Sequence, residues 1–243
     1  MKTRHLLILL TACVLGLTSC FNSGEPEYLY TNVYGIGAVQ GTVIFPDPEG
    51  YAFNIVEDRT DKGWLALDRV FFHCDVLRVS ESSGYDIRLL GYEPVTSGPA
   101  LVKSTSDESV YGTNPVSFYQ DWGINHKKRT LNLSAVYTAL KKSDKVHTVD
   151  LVFDDVRSHK DTIFFELHHQ GFGESYENKD YEATDFEIQT KYMTVDLSSC
   201  IPSDAGSTII ICVEWDWFRS IELNYMDRET IEHKFACGVL RLI

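Results

Sequence analysis

The side chains best able to do chemistry gather in the second half of the chain. His168 and His169 are adjacent, and Asp154, Asp155 and His159 bring oxygen and nitrogen donors close in sequence. Imidazole and carboxylate are ordinary ligands of divalent metals. The spacing argues against both sets. Neighbours on a strand point to opposite faces, so His168 and His169 do not converge on one ion from regular strand geometry. They read instead as one buried and one exposed ring at a strand end. Asp154, Asp155 and His159 read as an acidic turn closing a strand. Asp58 and Asp61 beside Gly63 could touch calcium, yet no full loop of oxygen ligands accompanies them. His233 and Cys237 share a strand face four residues apart, about 13 Å, too far to pair. No metal and no cofactor is expected.

Covalent chemistry finds equally little. No Gly-x-Ser-x-Gly turn occurs. Gly35-Ile36-Gly37-Ala38-Val39-Gln40-Gly41 nearly mimics a dinucleotide loop, but one residue too many precedes the third glycine and no βαβ pattern surrounds it. These glycines read as easing a tight start to a strand. Pairs of acids suited to glycoside cleavage are plentiful and unspecific. No catalytic residue is assigned and no enzyme activity is expected; the alternative is a secreted hydrolase with unrecognised acidic residues. One stretch has a surface of interest, Glu214-Trp215-Asp216-Trp217-Phe218. Alternation puts Trp215 and Trp217 on one face and the other three residues on the opposite face. The two indoles either fill a core or form an exposed platform for sugar rings or a partner protein. Trp215 and Trp217 are therefore the candidate partner-binding residues.

The segments that would position these residues begin with an export signal. Lys2 and Arg4 form a basic start, and Leu6 to Leu10 with Ala12 to Leu15 form an apolar run. That is the signal-peptide pattern, too short for the roughly 20 apolar residues of a membrane span. Leu17-Thr18-Ser19-Cys20 resembles the lipobox of bacterial lipoproteins. The resemblance implies cleavage before Cys20, a thioether lipid on its sulfur and acylation of the new amine. Each buried methylene contributes about 0.8 kcal/mol, so several acyl chains anchor firmly where one does not. The expectation is an exported protein held to the outer membrane of a Gram-negative cell envelope by the lipid on Cys20, with the periplasmic or surface face left open. Residues 20–34 read as a tether, and Glu25 and Glu27 are a weak version of an acidic surface-export signal.

Composition narrows the class further. The 243 residues carry a net charge of −13, and loss of Lys2 and Arg4 with the signal makes it −15. Such a chain is repelled by phosphate, so no nucleic-acid partner is expected. Thirteen Tyr, thirteen Phe and four Trp favour strands over helices. The pattern predicts an all-β chain: a small OB-like five-stranded barrel over 35–105, then a β-sandwich over 110–243. The barrel strands are read as Ile36 to Phe45, Tyr51 to Val56, Trp64 to Leu67, Arg69 to Val79 and Tyr85 to Val95. Thr130 to Leu140 fits both helical and strand spacing and is read as a strand. Cys74, Cys200, Cys212 and Cys237 remain after Cys13 and Cys20. The last three allow one disulfide, which is permitted outside the cytoplasm; three buried thiols are the other reading.

Taken together, these pieces resemble the NigD-like family of bacterial lipoproteins. The match is carried by Cys20, Gly63-Trp64-Leu65, Arg69-Val70-Phe71-Phe72, Trp122, Leu131-Asn132-Leu133, the strand from His147 to Leu151, and Phe165-Glu166-Leu167-His168-His169. The resemblance implies an N-terminal OB-like domain, a C-terminal β-sandwich and no defined biochemical activity. It implies no functional residues, because the family defines none. The family's bacteriocin-associated name adds an immunity role as a further alternative. Asp161-Thr162-Ile163 resembles the three-residue O-glycosylation site of some Gram-negative anaerobes, which makes Thr162 a candidate glycan acceptor. The partners expected are the membrane, through Cys20, and an envelope protein or carbohydrate.

Overall fold

The computed structural model describes residues 28–242 apart from 49, 62–66, 82, 107, 119–122, 179 and 219–229. Cys20 with its signal and most of the tether, Gly63-Trp64-Leu65 and Trp122 lie outside the described residues. The described chain is all-β, with a single helical turn at Glu108–Tyr111 and three short 3-10 turns.

Five strands make the first unit: β1 (Tyr30–Gln40), β2 (Val43–Pro46), β3 (Phe53–Asp58), β4 (Arg69–Val79) and β5 (Tyr85–Pro99). They pair in the cycle β1-β2-β3-β5-β4 and back to β1, with β3 and β5 parallel. The number of strands is the one expected, but the set differs: the strand read from Trp64 to Leu67 lies, except for Leu67, outside the described residues. The ring is not a true barrel, because β5 runs on out of it. Strict alternation in β4 fills the ring. Val70, Phe72, Cys74 and Val76 point inward onto Ile44, Ile87 and Leu89, all buried. Burying each large apolar side chain contributes about 1.5–3 kcal/mol, and this small core needs all of them.

Two sequence expectations need correcting here. Ile36 to Phe45 is not one strand: Gly41, at φ +61°, turns the chain so that β1 and β2 form a hairpin. Gly37 allows the two arms to close, since a Cβ there would lie 2.6 Å from the Ile44 side chain. The stretch read as tether also ends early. Pairing with β4 starts at Tyr30, opposite Val76.

Nine further strands follow: β6 (Leu101–Val102), β7 (Val116–Phe118), β8 (Gly123–Asn125), β9 (Thr130–Leu140), β10 (Thr148–His159), β11 (Thr162–Gln170), β12 (Phe186–Asp196), β13 (Thr208–Phe218) and β14 (Ile231–Arg241). β5 joins the two halves. It pairs with β4 as far as Pro94 opposite Val70, then with β12 in parallel from Val95 opposite Tyr192 to Pro99 opposite Asp196. One sheet thus continues from the ring through β12 and β9 to β7 and β8. A second sheet, ordered β14-β13-β11-β10-β6, packs against it. Leu131, Leu133 and Ala135 of β9 meet Leu151, Phe165, Ile211 and Val213 of the second sheet in a buried core. Thr130 to Leu140 is a strand, as its alternation predicts.

Cys212 and Cys237 stand directly opposite on β13 and β14 and are joined by a disulfide. Cys74 and Cys200 are buried free thiols. Burial pushes Cys74 up to about 12 and Cys200 up to about 11, so neither is a nucleophile near neutral pH.

Candidate functional site

A cleft of about 400 Å³ opens on the outer face of the long sheet, where the ring meets the second half. Its geometry follows from the parity of β4. With Phe72 turned into the ring, Phe71 and His73 must face outward. β1 places Tyr34 opposite His73, and the two rings stack at 4.3 Å and 6°. Tyr192 comes from β12 across the intervening β5 and stacks on Phe71 at 3.9 Å and 5°. Tyr34 and Phe71 are 6.2 Å apart, so four rings form a row that crosses from the ring to the second half.

Beside this row lies Asp47, just past β2, with no side-chain exposure. Its carboxylate accepts from Arg69, from Asn125 at 3.1 Å, from Asn132 at 3.4 Å and from Lys128 at 3.3 Å. Arg69 also donates to the Thr194 hydroxyl at 3.1 Å, and Thr194 donates to Asn132 at 2.7 Å. Asp47 and Arg69 belong to the ring, the rest to the second half, so the network fastens one to the other. Burial alone would raise the Asp47 carboxyl; the Arg69 guanidinium and the Lys128 charge outweigh it and hold the group below its ordinary value. A buried carboxylate is tolerated because every side of it meets a donor.

A second cleft, about 240 Å³, lies on the outer face of the second sheet, lined by Thr113, Asn114, Glu166, His168, Glu214, Trp215 and His233 among others. Its carboxylates are all engaged. Glu166 takes Lys103 at 2.6 Å and His168 at 3.1 Å, and these two, His168 first, hold it down at about 2 against the opposing effect of burial. Glu214 receives the Arg157 fork at 2.7 Å on each oxygen, which lowers it likewise. His233 is bonded to Asp216 at 2.8 Å.

Inside the sandwich a chain of imidazoles is sealed from solvent. His169 contacts the Pro115 carbonyl at 3.3 Å and His147 at 2.9 Å, and His147 reaches Glu174 at 3.1 Å. Burial, with the neighbouring His147 charge, drops His169 to about 3, so it stays neutral. His169 is 1% exposed while His168 stands in the outer cleft, the split expected of neighbours on a strand.

The remaining sequence candidates are scattered. Trp217 is a correction to the platform idea: it is 1% exposed and packs with Val136, Tyr176, Phe186 and Phe218. The inner parity of β13 takes it into the core. Trp215 is half-buried against Phe118 at 4.4 Å and keeps one edge in the outer cleft. Asp154 is bound to Lys103, Asp155 to Ser104, and His159 lies against Phe164, so the three do not converge. Asp58 caps its own turn through Thr60. Among the described residues no group of three or more His, Cys, Asp or Glu is arranged to hold a metal. Thr162 is half-buried at the start of β11. Cys20 lies outside the described residues. The residues missed were Tyr34, Phe71, Tyr192 and Asp47. The one available signal was the aromatic Phe71 and the His73 at outward parity on a strand whose inner parity is already filled.

No family model matches the sequence, and no curated protein does. Solved structures share the fold. A protein of unknown function, DUF1344, from Bacteroides vulgatus aligns with TM-score 0.58 and 16% identity over 86% of this chain and 90% of its own. A NigD-like immunity protein from Bacteroides caccae aligns with TM-score 0.55 and 15% identity over 86% and 93%. A candidate lipoprotein from Bacteroides fragilis aligns with TM-score 0.56 and 12% identity over 88% and 98%. The structural neighbours thus include a protein of the NigD-like kind, and what these likenesses establish is a common fold.

Proposed function

We propose that this protein is an exported envelope lipoprotein of the NigD-like kind that binds a ligand and catalyses no reaction. The observation that carries the reading is the aromatic cleft at the seam of the two halves. Its volume, about 400 Å³, falls in the usual range of ligand sites, about 300–1,000 Å³. It offers ring surface and polar atoms, while its carboxylate is already neutralised.

The chemistry elsewhere supports binding over turnover. A general acid must keep its proton near working pH. Glu166 and Glu214 are both held below their ordinary values by cations, and the lowered histidine, His169, is sealed inside. Export is supported by the signal and Leu17-Thr18-Ser19-Cys20, by a disulfide of the kind that persists outside the reducing cytoplasm, and by the name of the B. fragilis neighbour. Fractionation tests the anchor: Cys20→Ala should leave the membrane pellet and lose radiolabelled lipid, and a variant that stays membrane-bound and labelled contradicts it. A panel of polysaccharide and peptide substrates tests the absence of turnover. Hydrolysis that disappears in Glu166→Gln or Glu214→Gln would replace this reading with the hydrolase one.

The name of the B. caccae neighbour supports a second reading, self-protection against a bacteriocin. Deleting the gene and challenging the cells with bacteriocin preparations tests it; unchanged sensitivity removes it.

A further inference from the structure

Building on the seam cleft as a binding site, we infer that its ligand is a saccharide, held with a C–H face of a pyranose ring against the Tyr34 and Phe71 side of the aromatic row. Three observations select that chemistry. First, the row holds an exposed ring: Tyr34, flanked by Phe71 and His73, is 57% exposed and so presents apolar surface to solvent. Aromatic faces are electron-rich and attract polarised C–H groups. Second, the floor is polar but neutral. The Ser134 hydroxyl lies in the cleft and has no partner among the described residues, and the Asn132 amide lies beside it. Third, among the described residues the ionic groups of the cleft are spent. Asp47 is satisfied by Arg69, Lys128, Asn125 and Asn132, so an ionic ligand would have to break that network to find a counter-charge. A hydrocarbon ligand would strand Ser134 without a partner, which costs binding energy. A ring with apolar faces and a hydroxyl rim meets all three conditions.

The test uses the mature chain beginning at Cys20, fluorescently labelled and applied to a microarray of neutral and acidic glycans. The glycan that binds best is then titrated by calorimetry against Tyr34→Ala, Ser134→Tyr, which fills the floor, and Phe235→Ala, an exposed aromatic on β14 of the other sheet. In parallel, a photoreactive benzoylphenylalanine at position 34 is activated in cells. The expected result is retention of at least one glycan, weakened tenfold or more by Tyr34→Ala and by Ser134→Tyr and unchanged by Phe235→Ala. A glycan that binds equally well to Tyr34→Ala overturns the site. No retained glycan together with a polypeptide adduct at position 34 overturns the saccharide class and leaves the cleft as a protein-binding surface. No glycan and no adduct overturns both.

Discussion

Among the described residues, Asp47 is the side chain that touches Arg69 from the ring together with Asn125, Lys128 and Asn132 from the second half. Replacing it with Ala leaves a largely buried guanidinium and two amides without their acceptor. Breaking a buried pair from one side costs about 3–5 kcal/mol, and Asp47→Ala should lose about that much in urea unfolding. A second expectation concerns acid. Glu166 is lowered from 4.5 to about 2, so its contribution to stability is complete above pH 4.5 and is lost as pH falls toward about 2. In Glu166→Gln that part of the acid limb should flatten, measured by denaturant titration across that range. His169 acts higher. Its fall from 6.5 to about 3 means the unfolded chain takes a proton that the folded chain refuses, so stability should decline as pH drops below about 6.5. At this scale the sequence was legible only in part. The opposite orientations of His168 and His169 could be read from strand parity alone. Asp47 could not, because its partners are distant in sequence and nothing local marks an aspartate in a Pro-rich turn as buried.

Strands were easier to read than sites, since a period of two is visible in the chain itself. β4 alternates so strictly that its inner face can be named from sequence, whereas β9 is buried on both faces and its spacing fits a helix as well as a strand. The β1–β2 hairpin was harder, because a period of two can be read straight through Gln40-Gly41-Thr42 and the positive φ of Gly41 is what shows the turn. Gly37→Val should destabilise this hairpin by about 1–3 kcal/mol, since even a Cβ would lie 2.8 Å from the Phe45 carbonyl. The pairing of Cys212 with Cys237 also escaped the sequence: three cysteines permit several outcomes, and only the register of β13 against β14 brings these two opposite. The bond closes a loop of 25 residues, so reduction should cost about 3 kcal/mol in guanidinium unfolding with and without dithiothreitol. β14 is the edge of its sheet, and exchange of its amides should quicken on reduction.

Over the whole molecule, the ring and the second half are parts of one continuous sheet, because β5 serves both. That shared strand, with the Asp47 network across the seam, brings Tyr34, Phe71 and Tyr192 together. The expected order of architectures was legible from turn spacing and alternation. The cleft was not, since it arises only where strands far apart in sequence lie side by side. The central claim is that this seam is the working surface of an anchored binding protein. Hydrogen exchange of the mature chain, with and without a detergent extract of its own envelope, tests it most directly. Binding at the seam predicts slowed exchange in peptides covering 33–37, 69–73 and 190–194, with β14 unchanged. Unaltered exchange in all three, or protection confined to the second sheet, would contradict it.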